Sequence, residues 1–251
     1  MDIINFFKTS TKSKDLISNI DIGNRVPYYI AKRLLDILIS LTLLILLSPL
    51  LLLIAIAIRL DSPGSPIFSQ TRVGCKLRWK GFSYTKEIVP FMFYKFRSMY
   101  YKSDETIHKE FTKAYLKNDL SGMAQLQQGP VEEGNEFKLN HDNRITKVGK
   151  ILRNTSLDEL PQLWNVLKGD MSMVGPRPDL PYVVELYEPW HMQRLSTIQG
   201  LTGLWQVTAR NSCSFDVLIQ TDLDYINNQS IWLDIKIILK TPFAVFDQKG
   251  K

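Results

Sequence analysis

Cysteine is nearly absent from this chain: its 251 residues include only Cys75 and Cys213. Two thiols make no disulfide framework, and neither stands at ligand spacing from the other or from His108, His141 or His191, so no structural zinc is expected and the body reads as reduced and cytosolic. Blocks of like charge are missing too. The 31 basic residues exceed the 25 acidic ones by a formal +6, yet the chain has no run of five or more cations, no zinc-finger spacing and no RNP-like aromatic motif. Nucleic acid is therefore not expected as a partner. The modest excess suits anionic lipid and phosphorylated ligands. There is no internal repeat and only one long apolar run, which leaves about two hundred residues for one domain with its own core.

That run, Leu34 to Ile58, is Leu-rich without a polar stripe, and a helix that is apolar all round needs lipid or a large protein to surround it. About twenty-five residues at 1.5 Å each reach roughly 37 Å, enough to cross a bilayer. Lys32 and Arg33 precede the run and Arg59 follows it, however, and the positive-inside tendency draws both sets to the same side. Ser48-Pro49 interrupts the run at a point where proline removes a backbone donor and clashes with the carbonyl four residues earlier. The expectation is a re-entrant helical hairpin over residues 31–60 in contact with membrane lipid, with a single crossing as the alternative. A secretory signal is not expected, given the position and length of the run and the absence of a small-x-small cleavage pattern.

The rest of the chain divides around this hairpin. Residues 1–30 read as a variable polar tail. Residues 61–225 read as a compact cytosolic catalytic domain, opening on the turn formers Asp61-Ser62-Pro63-Gly64-Ser65-Pro66 and continuing through an aromatic, β-branched stretch from Ile67 to Met99 that predicts a small sheet of short strands. Residues 102–140 read as an insertion, helical as far as Lys117. A helix is expected between Arg153 and Leu167, ended by Gly169 in the left-handed conformation. Residues 226–251 form a C-terminal segment in which Ile231, Ile235 and Ile238 fit an amphipathic helix lying in the membrane interface, although strand alternation fits residues 233–237 as well. The fold class is α/β, mostly α.

The residues richest in chemistry are Thr155-Ser156-Leu157-Asp158-Glu159-Leu160-Pro161. Adjacent carboxylates project in different directions and hold separate roles. Ser156 and Glu159 match a capping box, so a purely structural reading stands beside a catalytic one. On either reading Asp158 falls at the positive end of a helix, where the dipole favours an ionised nucleophile, and Glu159 can face a metal or a phosphate-bound magnesium. Lys95 and Arg97 alternate with aromatics, so in a strand both point to one face. Arg153 lies about one helical turn before the acidic pair. Arg177 sits between Pro176 and Pro178 in a stiff loop, and arginine forks match phosphate oxygens.

The strings "KRLLD", "PIFSQTRVG", "YKFRSM", "DNRITKVGKILRNTSLDELPQLWNVLKGDMSMVGPRP", "LTGLWQV" and "LDIKIILKT", with Ser-Pro inside the apolar run, carry a resemblance from Lys32 to about Thr241. On them the chain resembles the bacterial sugar transferases of the monotopic polyprenyl-phosphate phosphoglycosyl transferase superfamily. The resemblance implies a re-entrant helix broken at Ser48 and Pro49 and a catalytic domain on the cytosolic face of the bacterial inner membrane. It implies transfer of a sugar phosphate from a UDP-sugar to undecaprenyl phosphate with release of UMP, as the first membrane step of a surface-glycan pathway. Asp158 is then the nucleophile of a covalent phosphosugar intermediate and Glu159 the ligand of magnesium (Mg2+). Lys95, Arg153, Arg177 and Arg210 fall on positions that contact substrate phosphates or nucleotide, with Asp222 a further substrate-binding position. Larger relatives place a multi-helix membrane domain before the catalytic portion, which this chain is expected to lack. Gln199 stands where the family usually has proline. A homo-oligomer, a glycosyltransferase releasing UDP and a non-enzymatic membrane scaffold remain open.

Overall fold

A computed structural model of the chain describes residues 25–80, 83–101, 106–117, 119–126, 143–208 and 214–246. The apolar run forms two helices, α1 (Val26–Leu46) and α2 (Ser48–Asp61), bent by 62°. Pro49 sits in the first turn of α2, where its missing N–H costs no helical bond, and the Ser48 hydroxyl donates to Ile45 O at 2.8 Å. Neither helix alone is long and apolar enough to cross a membrane, but the bent pair qualifies by length and composition.

Polar residues at the start of α1 tie it to the body. Lys32, 2% exposed, pairs with Asp234 at 2.8 Å and donates to Val174 O; Arg33 donates to the carbonyls of Val166 and Leu167; Asp36 accepts from Met173 N and Ser172 Oγ. Lys32 and Arg33 therefore serve as internal anchors, and their charges are not free to mark a membrane flank.

Chain beyond α2 pairs as one long antiparallel ribbon, β1 (Ile67–Lys80) with β2 (Ser83–Phe96). The strands are 14 residues each, longer than the short ones expected, because the pairing runs from Ile67–Phe96 to Lys80–Ser83 through Gly74 and Pro90 without a break. Two helices follow, α3 (Thr106–Leu116) and α4 (Leu120–Leu126), and their Phe111, Tyr115 and Met123 build a cluster with Trp205, Phe215, Leu218 and Ile219. These residues of the insertion thus belong to a packed core; residues 127–140 lie outside the described residues.

The helix expected between Arg153 and Leu167 is present but short, and a separate helix ends just before the acidic pair. Helix α5 (Lys147–Thr155) ends where Ser156 adopts φ 54°, a 3-10 turn follows at Leu157–Glu159, and α6 (Gln162–Lys168) ends on Gly169 at φ 83°, the left-handed glycine the sequence implied. The break lies at the left-handed Ser156, and Pro161 follows as the N-cap of α6, where its missing N–H costs no helical bond. After α6 come β3 (Ser172–Val174), α7 (Pro181–Val184), a 3-10 segment at His191–Ser196 and β4 (Gly200–Thr202), which pairs parallel with β3. Helices α8 (Leu204–Thr208), α9 (Phe215–Asn227) and α10 (Ile231–Phe246) complete the chain.

The main core joins Phe91 and Phe93 of β2, Leu163 and Val166 of α6, Met173 and Val174 of β3, Tyr225 of α9 and Ile237 of α10, with Ile39, Leu43 and Leu44 of α1 against it. Full burial of each such side chain stabilises by about 1.5–3 kcal/mol. Helix α10 resolves the ambiguity of residues 233–237 in favour of a helix, with Asp234 and Ile237 inward. Its exposed apolar stripe is Trp232, Leu239 and Phe243, rather than the expected 231, 235 and 238, because the Lys32–Asp234 pair fixes the helix's rotation.

Candidate active site

The acidic turn rests on the second helix of the bent pair. Leu157 and Leu160, on either side of Asp158 and Glu159, pack with Ile54 and Ile58 of α2, Phe96 of β2 and Leu152 of α5. Asp61 closes α2 and accepts from Val148 N at 3.1 Å, so one carboxylate ends that helix and caps the next. Thr146 caps α5 through Gly149 N. Gly149 is required here, since a Cβ at that position would meet Ser98 O at 2.0 Å. These contacts fix α5, and with it Arg153 and the acidic turn, against the end of β2.

The capping-box reading fails in this geometry. Ser156 is the left-handed C-terminal residue of α5 and its side chain makes no cap bond, while Glu159 Oε1 accepts from Arg177 Nη2 at 2.6 Å. Asp158 lies in the first turn of the three-residue 3-10 helix Leu157–Glu159, not of an α-helix: α6 starts four residues later. The positive surroundings of Asp158 come from side chains.

Asp158 is 8% exposed. Burial and the adjacent Glu159 charge push its pKa up to about 6, against the opposing pull of Lys95, Arg153 and Arg177. Lys95 is pushed down to about 8 by burial, with Asp158 opposing and Arg72, Arg153 and Arg177 adding to the depression. Arg177 moves above its ordinary value; burial opposes this, and Glu159 outweighs it. Asp158, Glu159, Lys95, Arg153 and Arg177 therefore form one mutually interacting cluster.

Other expected residues are placed differently. Arg97 lies beyond the last residue of β2 and does not share the face of Lys95: its guanidinium donates to Ser62 O at 2.7 Å and Pro63 O at 2.6 Å, stitching the strand end to the exit of α2. Asp222 is fully buried and pairs with Arg194 Nε at 2.6 Å; Arg194 also holds Asp179, and burial pushes the Asp222 carboxyl up to about 6. Asp222 thus reaches the cluster only through Arg194 and the loop that carries Arg177. Arg210 lies outside the described residues. Gln199, in place of the usual proline, accepts from Cys75 N at 2.6 Å and ties β1 to the residue before β4.

Sequence reasoning missed Arg72, inside the "PIFSQTRVG" string. Its charge interacts with Arg177, Asp179 and Glu159. Period-two alternation along β1 was the available signal. The fully buried Gln162, one turn past Asp158, has no partner for either amide atom among the described residues, and the same holds for Arg72 Nε and Asp222 Oδ1. Unfilled polar capacity of this kind marks a site for a ligand or water.

No group of three or more potential metal-ligating side chains is found among the described residues. Magnesium binds through one or two carboxylates together with substrate phosphates, and Glu159 is a carboxylate of the kind that would hold it.

Two adjacent carboxylates are thus set among cations, on a turn packed against the second helix of a bent apolar pair. The chain belongs to the bacterial sugar transferase family, whose pattern matches residues 27–248. It is 43% identical over 218 residues to the galactosyl transferase CpsE of Streptococcus agalactiae serotype III (strain NEM316), covering 86% of this chain and 42% of that protein. It is 37% identical to the exopolysaccharide production protein ExoY of Rhizobium meliloti (strain 1021), covering 88% of this chain and 87% of ExoY. It is 38% identical to the UDP-glucose:undecaprenyl-phosphate glucose-1-phosphate transferase of Caulobacter vibrioides (strain ATCC 19089 / CIP 103742 / CB 15), covering 86% of this chain and 70% of that enzyme. The chain thus spans well under half the length of CpsE and most of ExoY.

Proposed function

We propose that this protein transfers a sugar 1-phosphate from a UDP-sugar to undecaprenyl phosphate, releasing UMP. The observation that carries the proposal is the seat of Asp158, a buried carboxylate among Lys95, Arg153 and Arg177 on a turn packed against α2. An Asp158 oxygen attacks the β-phosphorus of the donor, the bond to the bridging oxygen breaks, and UMP departs with that electron pair. A phosphate oxygen of the lipid then attacks the same phosphorus and the Asp158–phosphorus bond breaks, restoring the carboxylate and yielding a diphosphate-linked lipid sugar. Lys95, Arg153 and Arg177 neutralise the donor so that an anionic nucleophile can approach it. Glu159, together with the substrate phosphates, would hold magnesium, which when bound would supply further charge neutralisation. Arg177 holds Glu159 in place.

Membrane placement is part of the same proposal, and the packing of the bent pair supports it. Both ends of the bent pair return to one body, α1 through Lys32, Arg33 and Asp36 and α2 through Ile54 and Ile58, while Leu38, Ile45, Leu46, Leu52 and Leu53 between them are exposed. A pair held so at both ends dips into one leaflet of the inner membrane and leaves the body on the cytosolic face. Trp232, Leu239 and Phe243 of α10 add an interfacial stripe. The named relatives differ in sugar, so galactose, glucose and their derivatives form the first donor panel.

The test mixes purified protein, magnesium, undecaprenyl phosphate and UDP-sugars, then identifies the nucleotide released. UMP is expected. UDP would assign a glycosyltransferase acting on a lipid-linked sugar instead.

A further inference from the structure

Arg72 is a half-buried guanidinium without a carboxylate partner among the described residues. Its Nη1 donates to Pro178 O at 3.2 Å and its Nη2 to Gln70 Oε1 at 3.3 Å, both neutral acceptors, and its Nε is buried with no acceptor. The guanidinium lies over the Phe93 ring, 5.2 Å from its centre. Carboxylates whose charge reaches Arg72 are already engaged: Glu159 pairs with Arg177, and Asp179 with Arg194, which is itself held by Asp222 and Tyr187. A cation placed this way, with a neighbouring arginine lowering its pKa further after burial, is costly unless an anion joins it.

Neighbouring charge identifies that anion. Arg72, Lys95, Arg153 and Arg177 stand as four cations against the two carboxylates Asp158 and Glu159. The surplus matches a doubly ionised diphosphate. Backbone placement is also fixed: Val73 N donates to Asp179 O at 2.9 Å, joining β1 to the residue two beyond Arg177. Gly175 and Gly200 approach so closely that a Cβ on Gly200 would meet Gly175 N at 2.0 Å, which holds the Arg177 loop from its other side. Arg72 and Arg177 are therefore presented together by rigid backbone.

Position along the ribbon separates the two phosphorylated substrates. Lys95 is next to Phe96, which packs on α2, whereas Arg72 pairs with Phe91, four residues further along β2 or roughly 13 Å at 3.3 Å per residue. Lys95 marks the end nearest the apolar helix pair and Arg72 the end away from it. We propose that Arg72 binds the uridine-side phosphate of the donor diphosphate, the phosphate that leaves in UMP, and makes no contact with the lipid phosphate. The inference rests on the sugar-phosphate transfer reading above and adds a donor-specific residue to it.

A two-step transfer through Asp158 allows kcat/KM for each substrate to be measured separately. With Arg72→Gln, kcat/KM for the UDP-sugar should fall ten- to a hundredfold, the range for losing a charge-assisted hydrogen bond, while kcat/KM for undecaprenyl phosphate stays within twofold. Arg72→Lys, which keeps the charge and the stem over Phe93 but not the fork, should recover part of the loss. Unchanged constants for both substrates, or an equal fall in both with a lowered Tm, would overturn the assignment. Direct titration with UDP and magnesium separates this proposal from the parent reading. Wild-type protein that binds UDP, loses that binding on Arg72→Gln and yet releases no UMP would preserve the diphosphate site and overturn the transfer reaction. Wild-type protein that neither binds UDP nor releases UMP would overturn both.

Discussion

Asp158 carries an electrostatic conflict: burial and Glu159 disfavour its charge, and nearby cations only partly offset them. A carboxyl whose folded pKa is raised from 3.8 to about 6 favours folding fully below the lower value and loses that contribution as pH rises through the upper one. At pH 7.5, then, Asp158→Asn should raise Tm in magnesium-free buffer, the relieved cost being roughly 2–3 kcal/mol at about 1.4 kcal/mol per pKa unit. The same variant should lose turnover by at least about a thousandfold, as expected for removal of a covalent nucleophile. A purely structural Asp158 would give neither result. Turnover also needs Asp158 ionised and Lys95 protonated, so kcat/KM for the donor should rise with pH through about 6 and decline through about 8. Lys95→Arg, measured across the same range, should move the alkaline limb upward. The acidic pair and its neighbouring cations were legible as residue types, but that Arg97 turns away and Arg72 turns in was not, because both outcomes depend on where β2 ends and on which carbonyls wait there.

Helices and turns hold these side chains through a few short contacts. Gly149→Ala should destabilise the protein and lower kcat, because the new Cβ displaces α5 from Ser98 and shifts Arg153 and the acidic turn together; unfolding and initial-rate measurements on one sample check both effects. The buried Lys32–Asp234 pair makes a second prediction. Lys32→Ala leaves Asp234 uncompensated, and chemical unfolding in detergent should register a loss of about 3–5 kcal/mol. Replacing both partners with apolar residues should recover most of it. Sequence periodicity gave the existence of these elements and the Gly169 stop. It did not give the division of α5 from α6 or the rotation of α10, since the first depends on a left-handed Ser156 that propensity does not rank and the second on the Lys32–Asp234 pair, whose partners are distant in the chain.

At the scale of the whole molecule the apolar pair and the catalytic body are one packed unit. If the pair re-enters one leaflet, cysteines placed at Arg25 and at Ser65, in a background lacking Cys75 and Cys213, should both react with an impermeant reagent from the cytosolic side, and one at Leu46 should be protected. Labelling of Arg25 and Ser65 positions from opposite faces would show a single crossing. Length, composition and the apolar run by themselves determined the class of protein: one body with a mainly helical fold, one apolar segment broken at Ser48-Pro49, and an acidic pair amid cations that suit phosphate. Those features are local, fixed by side-chain chemistry and by proline geometry. Tertiary structure alone decided that Lys32 and Arg33 anchor α1, that Arg72 joins the site while Asp222 supports it from behind, and that Asp158 draws its positive field from side chains rather than from a helix dipole. Each of those depends on through-space distance between segments far apart in sequence, and burial makes the resulting charges interact strongly enough to matter.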